Sequence, residues 1–116
     1  MKLHIEQIAE YAHELNRAWC DITGESGKPS WENVSDEIKQ SSIHGVKHIL
    51  SKSELPTPEE MWSQWKTYKL KSGWTKGIYS VNDKTHPNLV DEYDELSDID
   101  KMKDRIFIEA VRVLSK

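Results

Sequence analysis

Cysteine is nearly absent from this chain. Cys20 stands alone, so no internal disulfide can form, which fits a reducing compartment. Phenylalanine is equally scarce, with one residue against five tryptophans. The aromatic area is therefore mostly indole, which suits half-buried walls and ligand pockets as well as cores. A surplus of basic residues is missing too. Sixteen Lys and Arg against twenty Asp and Glu leave a net charge of −4. That balance excludes a broadly basic face for general nucleic-acid binding and leaves room for a local basic patch only. No stretch approaches the ~20 apolar residues of a membrane span, so membrane insertion is not expected. The start, Met1-Lys2-Leu3-His4-Ile5-Glu6, lacks the apolar run of a secretory leader. A soluble, cytoplasmic protein is the expectation.

Familiar catalytic and metal signatures are missing as well. Gly24 and Gly27 are not followed by the Lys-Ser/Thr of a phosphate-binding loop. His44 and His48 are spaced to share a zinc ion, but Gly45-Val46-Lys47 between them lacks a zincin's glutamate and no third ligand is evident. Cys20 has Asp21 beside it and no clear activating base. The carboxylates are scattered over polar faces. No enzyme activity, metal or cofactor is expected from this pattern.

What is present is a helical pattern. With 116 residues, 36% hydrophobic and 31% charged, the chain can form one domain with a modest core. A first helix is predicted over Ile5 to Ile22, with Ile8, Ala12, Leu15, Trp19 and Ile22 as its apolar face. His13, Asn16, Arg17 and Cys20 form a second stripe beside it. A loop from Thr23 to Pro29 comes next, with Trp31 just beyond it. A second helix is predicted from Asp36 to Ser51, capped by Ser35, with Ile38, Val46, Ile49 and Leu50 inward. A third is announced by Thr57-Pro58-Glu59-Glu60, a cap, a first-turn proline and a capping box, and runs to Lys71. Met61, Trp65 and Tyr68 share one side of it; Trp62, Lys66 and Lys69 share the next. The fourth is predicted from Asp98 to Leu114, with Ser97 and Asp100 as a box and Ile99, Met102, Ile106, Ala110 and Val113 inward.

Between the third and fourth helices lies an ordered connector, Gly73 to Leu96. It holds Gly73-Trp74-Thr75-Lys76-Gly77, a β-prone piece Ile78-Tyr79-Ser80-Val81, a turn at Asn82-Asp83, and His86-Pro87, where the proline bars helical backbone before it. The order helix, Trp-bearing loop, helix thus occurs twice. Val46-Lys47-His48-Ile49-Leu50-Ser51-Lys52 is also faintly like Ala110-Val111-Arg112-Val113-Leu114-Ser115-Lys116. The prediction is a mostly α fold of two pseudo-symmetric repeats, residues 5–52 and 57–116, with short β pieces in the connectors. A ligand cleft would lie between the halves.

The connector and the fourth helix resemble the RyR domain, the repeat named after the ryanodine receptor and also found in free-standing bacterial and phage proteins. The resemblance rests on Gly73-Trp74-Thr75-Lys76-Gly77, Asp83, Lys84, His86-Pro87, Leu89-Val90, Tyr93, Leu96, Lys101 and Asp104-Arg105. His13, Asn16, Arg17, Trp31, Ser42 and Gly45-Val46 are similar to the divergent first repeat of prokaryotic members. Lys76 stands where the family usually has an aromatic, and Asp91-Glu92 precede Tyr93 where the family runs directly to Pro-Tyr. The resemblance implies a non-catalytic sensor of small ligands, with nucleotide-derived ones favoured.

On that reading the groove between the repeats holds His13, Asn16 and Arg17 opposite Trp62, Trp65 and Lys69. An indole stacks a base at ~1–3 kcal/mol, and a guanidinium takes phosphate oxygens in two parallel bonds. The bland alternative makes Trp65 a core residue and the polar stripe a solvated surface. Secondary candidates are Trp74, Lys84, His86 and Arg105. Trp74 reads equally as a loop anchor, His86 as a turn cap, and Asp104-Arg105 as an internal salt bridge to the connector. A protein partner docking on the groove or connector, with no small ligand, is the competing function.

Overall fold

The computed structural model describes residues 3–116; Met1 and Lys2, the first two residues of the segment on which no secretory leader was expected, lie outside the described residues. The elements are α1 (Ile5–Ile22), α2 (Asp36–Leu50), α3 (Pro58–Lys71), β1 (Thr75–Lys76), β2 (Thr85–His86), a 3₁₀ turn (Tyr93–Glu95) and α4 (Asp98–Leu114). The fold is mostly helical with a small two-stranded sheet. Among the described residues no helix is long and apolar enough to cross a membrane.

Local chemistry accounts for the helix ends. The Thr57 hydroxyl accepts from the Glu60 N–H at 3.1 Å, and the Glu60 carboxylate accepts from the Thr57 N–H at 2.9 Å, so the predicted capping box is complete. The hydroxyls of Ser35 and Ser97 accept from the N–H groups of Ile38 and Asp100. α2 stops one residue short of the predicted end, with Ser51 as its C-cap. α3 closes at Gly73, whose φ of +90° places it in the left-handed region that a glycine enters without cost.

Each helix packs on its neighbour in chain order, and the ring closes through α1 against α4. At one end the ring is filled by Ile8, Ala9, Val46, Ile49, Met61, Ile108 and Val111, with Trp31 beside them. These come from the first half of α1, the second half of α2, the start of α3 and the second half of α4. α2 and its neighbours approach closely at Gly45, where an added Cβ would sit 3.1 Å from Phe107 and 3.2 Å from Met61.

Two predicted faces are turned. On α1, Ile8 and Ala12 of the predicted face are buried, but Leu15 is half exposed and Ile22 is 78% exposed, and Ala9 and Cys20 beside that face are buried. On α4, Ala110 is buried as predicted, but Ile99, Met102 and Val113 are exposed, and Ile108 and Val111 beside them are buried. Leu50 of α2 is exposed as well. On α1 and α4 the buried stripe overlaps the predicted one only in part. A small residue such as Ala9 permits closer helix contact than the bulkier Leu15 and Ile22 of the predicted stripe.

The strands also differ from expectation. Ile78-Tyr79-Ser80-Val81 forms no strand, and Ile78 is 90% exposed. The sheet is instead a parallel pair in which Thr75 faces Thr85 and Lys76 faces His86. A turn closed by the Lys84 N–H on the Val81 carbonyl, with Lys84 at φ +55°, swings the chain back. A Cβ at Gly77 would lie 3.1 Å from Thr85, so the close return needs a glycine there. The two connectors are unlike: residues 23–35 carry turns without a strand, whereas the second holds the sheet and the 3₁₀ turn.

Candidate functional site

The helical ring is apolar at one end and hollow at the other. A cavity of about 290 Å³ opens where α1 supplies His13, Asn16 and Cys20, and α2 supplies Ser41, Ser42 and Gly45. Trp62, Trp65, Tyr68 and Lys69 come from α3, Tyr79, His86 and Asn88 from the connector, and Asp100, Lys103, Asp104 and Phe107 from α4. Both halves of the chain therefore contribute wall. A wider groove of about 620 Å³ runs over α2 and α3 past His44, His48 and Lys71. It is open and made largely of exposed side chains. Two of the residues lining the inner cavity, Lys69 and Asn16, carry buried polar atoms with no hydrogen-bond partner among the described residues.

Lys69 is the first of these. It is 2% exposed, and its Nζ has no hydrogen-bond partner among the described residues. The ammonium lies 4.3 Å from the ring centre of Trp74. Burial lowers its pKa to about 8, with Glu37 pulling it back up and Lys84 pressing it further down. It is still mostly charged at neutral pH.

Asn16 is the second. Its Nδ2 donates to the Lys103 carbonyl at 3.1 Å, which fixes the amide and leaves a buried Oδ1 with no partner among the described residues. Asp104 sits directly after Lys103. Burial raises its pKa to about 7, assisted by Asp100 and opposed by Lys103. Lys103 is itself held by Asp100 at 2.9 Å and Glu25 at 3.0 Å. Among the described residues Asp104 has no ion-pair partner, so the expected salt bridge from Asp104-Arg105 to the connector does not form. Arg105 is exposed and turns toward Glu109 at 3.8 Å.

His86 is placed in the cavity wall by the parallel pair. Its Nδ1 accepts from the Asn88 N–H at 3.0 Å. Burial, with Lys28, Lys103 and Lys69 nearby, lowers its pKa to about 4, so the ring is neutral and carries its proton on Nε2. Trp65 meets it edge-on at 5.0 Å.

The remaining sequence candidates divide cleanly. His13 lines the cavity with Nε2 2.9 Å from the Pro29 carbonyl. Trp62 lines it too, its indole donating to the Asn88 carbonyl at 3.0 Å. Arg17 does not line it. α1 turns Arg17 to the side, where Nε donates to the Lys28 carbonyl at 3.0 Å and the guanidinium pairs with Glu14 at 2.8 Å. Trp74 is 1% exposed behind Lys69 and donates to Glu37 at 2.7 Å. Lys84 spans the connector to the Ser72 carbonyl at 3.1 Å. Thus His13, Asn16, Trp62, Trp65, Lys69 and His86 share the cavity, and Arg17, Trp74, Lys84 and Arg105 lie off it.

Asp104, Asn88, Lys28, Tyr68 and Phe107 were not anticipated as lining. A signal existed in α4: Asp100, Lys103, Asp104, Phe107, Ile108 and Val111 recur at helical spacing. That stripe is apolar at one end and charged at the other, and the charged end is where the hollow lies.

The buried carboxyl makes stability depend on pH. From 3.8, its ordinary pKa, to about 7 the folded chain keeps a proton on Asp104 that the unfolded chain has lost. This group's contribution to stability therefore falls as pH rises through that window and levels off above it. Asp104→Asn, which mimics the neutral acid, should gain urea midpoint relative to the wild type at pH 8 and little at pH 5.

In comparisons with known proteins, no family model and no curated protein matches the chain.

Proposed function

We propose that this chain is a non-catalytic, RyR-type ligand-binding domain whose cavity takes a nucleotide or a similar small, flat, anionic ligand between its two repeats. The observation that carries the reading is a cavity lined by Trp62, Trp65 and Lys69, whose buried ammonium has no hydrogen-bond partner among the described residues. A native interior rarely leaves such a cation without a partner unless a ligand completes it. At about 290 Å³ the cavity sits at the small end of ligand sites, roughly 300–1,000 Å³. The heterocycle goes inside, and a phosphate extends outward. Lys28, partly exposed on the same wall, replaces Arg17 as the cation for it. The resemblance of the connector to the RyR domain supports the same class of ligand.

The test is a thermal-shift screen against nucleosides and nucleotides, since a ligand selective for the folded state raises its melting temperature. Trp65→Ala should remove the shift. Arg17→Ala should keep it, because that guanidinium is committed to Glu14 and the Lys28 carbonyl. If millimolar nucleotides leave the melting temperature unmoved, the reading is wrong. The competing reading, a protein-interaction module, draws on the exposed connector tip, where Ile78 is 90% exposed. It predicts that Ile78→Ser, and not Trp65→Ala, abolishes partner binding.

A further inference from the structure

We propose that the outer face of α1 and α4 is the interface of a dimer formed with a second copy of this chain. The proposal lies outside the cavity and does not depend on its ligand.

The face forms where two amphipathic helices lie side by side. The Trp19 indole donates to the Ile99 carbonyl at 3.0 Å, and the Asn16 amide donates to the Lys103 carbonyl at 3.1 Å. One turn back on α1 is therefore one turn forward on α4, so the two helices run antiparallel and touch along this stretch. Leu15 and Ile22 stand one turn to either side of Trp19, and Met102 stands one turn after Ile99. Tyr11 lies one turn before Leu15 and extends the stripe. These five residues are between 40% and 78% exposed. Four of them, Leu15, Ile22, Ile99 and Met102, recur with the periodicity of a helix side made for burial. The chain's own core leaves them in water.

The area is what a dimer needs. At about 200 Å² for a large side chain, the five leave on the order of 500 Å² exposed. Contiguous apolar patches beyond a few hundred Å² mark interaction sites. An ordinary stable interface covers about 800 Å² on each partner, of which about 65% is apolar in homodimers. That fraction is roughly 520 Å², the amount this stripe supplies.

Symmetry and charge favour a second copy as the occupant. A copy given half a turn about an axis along the α1–α4 seam lays stripe on stripe and sets each α1 on the other's α4. The four helices then pack as a bundle. Charges border the stripe with opposite signs. Glu10 and Asp21, both exposed, each precede a stripe residue on α1. Arg105, its side chain 63% exposed, stands one turn after Met102 on α4. The half-turn brings the acidic border of one copy to the basic border of the other.

The experiment is size-exclusion chromatography with light scattering on the full chain. It is run at about 100 μM, above the micromolar Kd at the weak end for an interface of this size. The expected mass is twice 13.5 kDa. Ile22→Ser and Met102→Ser should each weaken the dimer at least about tenfold, because a two-fold axis counts each substitution twice. Both side chains are already exposed, so the fold should survive, and circular dichroism confirms it. Ile78→Ser, on the connector, should leave the dimer as tight as the wild type. A monomer at this concentration would overturn the proposal. So would a dimer that Ile22→Ser and Met102→Ser both leave intact, or one that only Ile78→Ser weakens. Arg105→Glu should weaken the dimer severalfold, and no change there would overturn the pairing of α1 with the other copy's α4.

Discussion

Lys69→Met is expected to make the protein more stable while abolishing its response to anionic ligands. In the wild type Lys69 is 2% exposed, and its ammonium has no hydrogen-bond partner among the described residues. Burial takes its pKa from 10.5 to about 8. Each unit is worth about 1.4 kcal/mol, so the charged form is disfavoured by on the order of 3 kcal/mol. Attraction to the Trp74 ring, 4.3 Å away, returns part of that. Methionine keeps the volume and drops the charge, a replacement that is commonly neutral or stabilising for buried ions. The gain should be roughly 1–3 kcal/mol, or a rise of about 4–12 °C in melting temperature for a chain of this size. Between about pH 8 and 10.5 the folded wild type has already released a proton that the unfolded chain still holds. Wild-type stability from this group therefore rises with pH across that window, and the advantage of Lys69→Met shrinks toward the top of it. A variant less stable than the wild type at pH 7 would mean that the lysine is a structural cation held by Trp74 and Glu37, not one kept for a ligand.

Trp74→Ala is expected to come close to unfolding the chain. Trp74 is the largest fully buried side chain, and it lies outside the cavity. It ties the connector to α2 through its indole N–H, which donates to Glu37 at 2.7 Å; that bond is the main reason the Glu37 carboxyl sits below its ordinary pKa. Truncating a buried tryptophan costs ~3–5 kcal/mol, against a total of roughly 5–15 kcal/mol for a typical domain. Trp74→Phe keeps most of the area and gives up the hydrogen bond, so it should lose only about 1–2 kcal/mol. Urea titration of the two variants separates the contributions. Equal, small losses would show that the connector is anchored elsewhere. The effect should reach His86 as well, because the Thr75–Lys76 strand that positions it begins at the next residue.

The caps illustrate what could be read without coordinates. Thr57-Pro58-Glu59-Glu60, Ser35 and Ser97 act through bonds three residues long, so each helix start is encoded within its own turn. Trp74 as the connector's pin was legible for a similar reason, since two glycines and a lone indole leave few other uses for the ring. The inward faces were harder. Leu15, Ile22, Ile99 and Met102 are as hydrophobic as the residues that packed, and they stayed outside because the helices met along Ala9, Ile108 and Val111 instead. Arg17 shows the consequence. One position along from Asn16, it is carried off the cavity wall by the turn of the helix and finds Glu14 on its own surface.

Short-range chemistry therefore settled where the four helices begin and end, because a cap and its target lie within one turn of each other. Which side of each helix faces inward, and that Lys69, Asn16, His86 and Asp104 share one hollow, depended on contacts between residues far apart in the chain. Periodicity marks stripes on a helix, but the choice between adjoining stripes is made by the shape of the neighbour that packs against them.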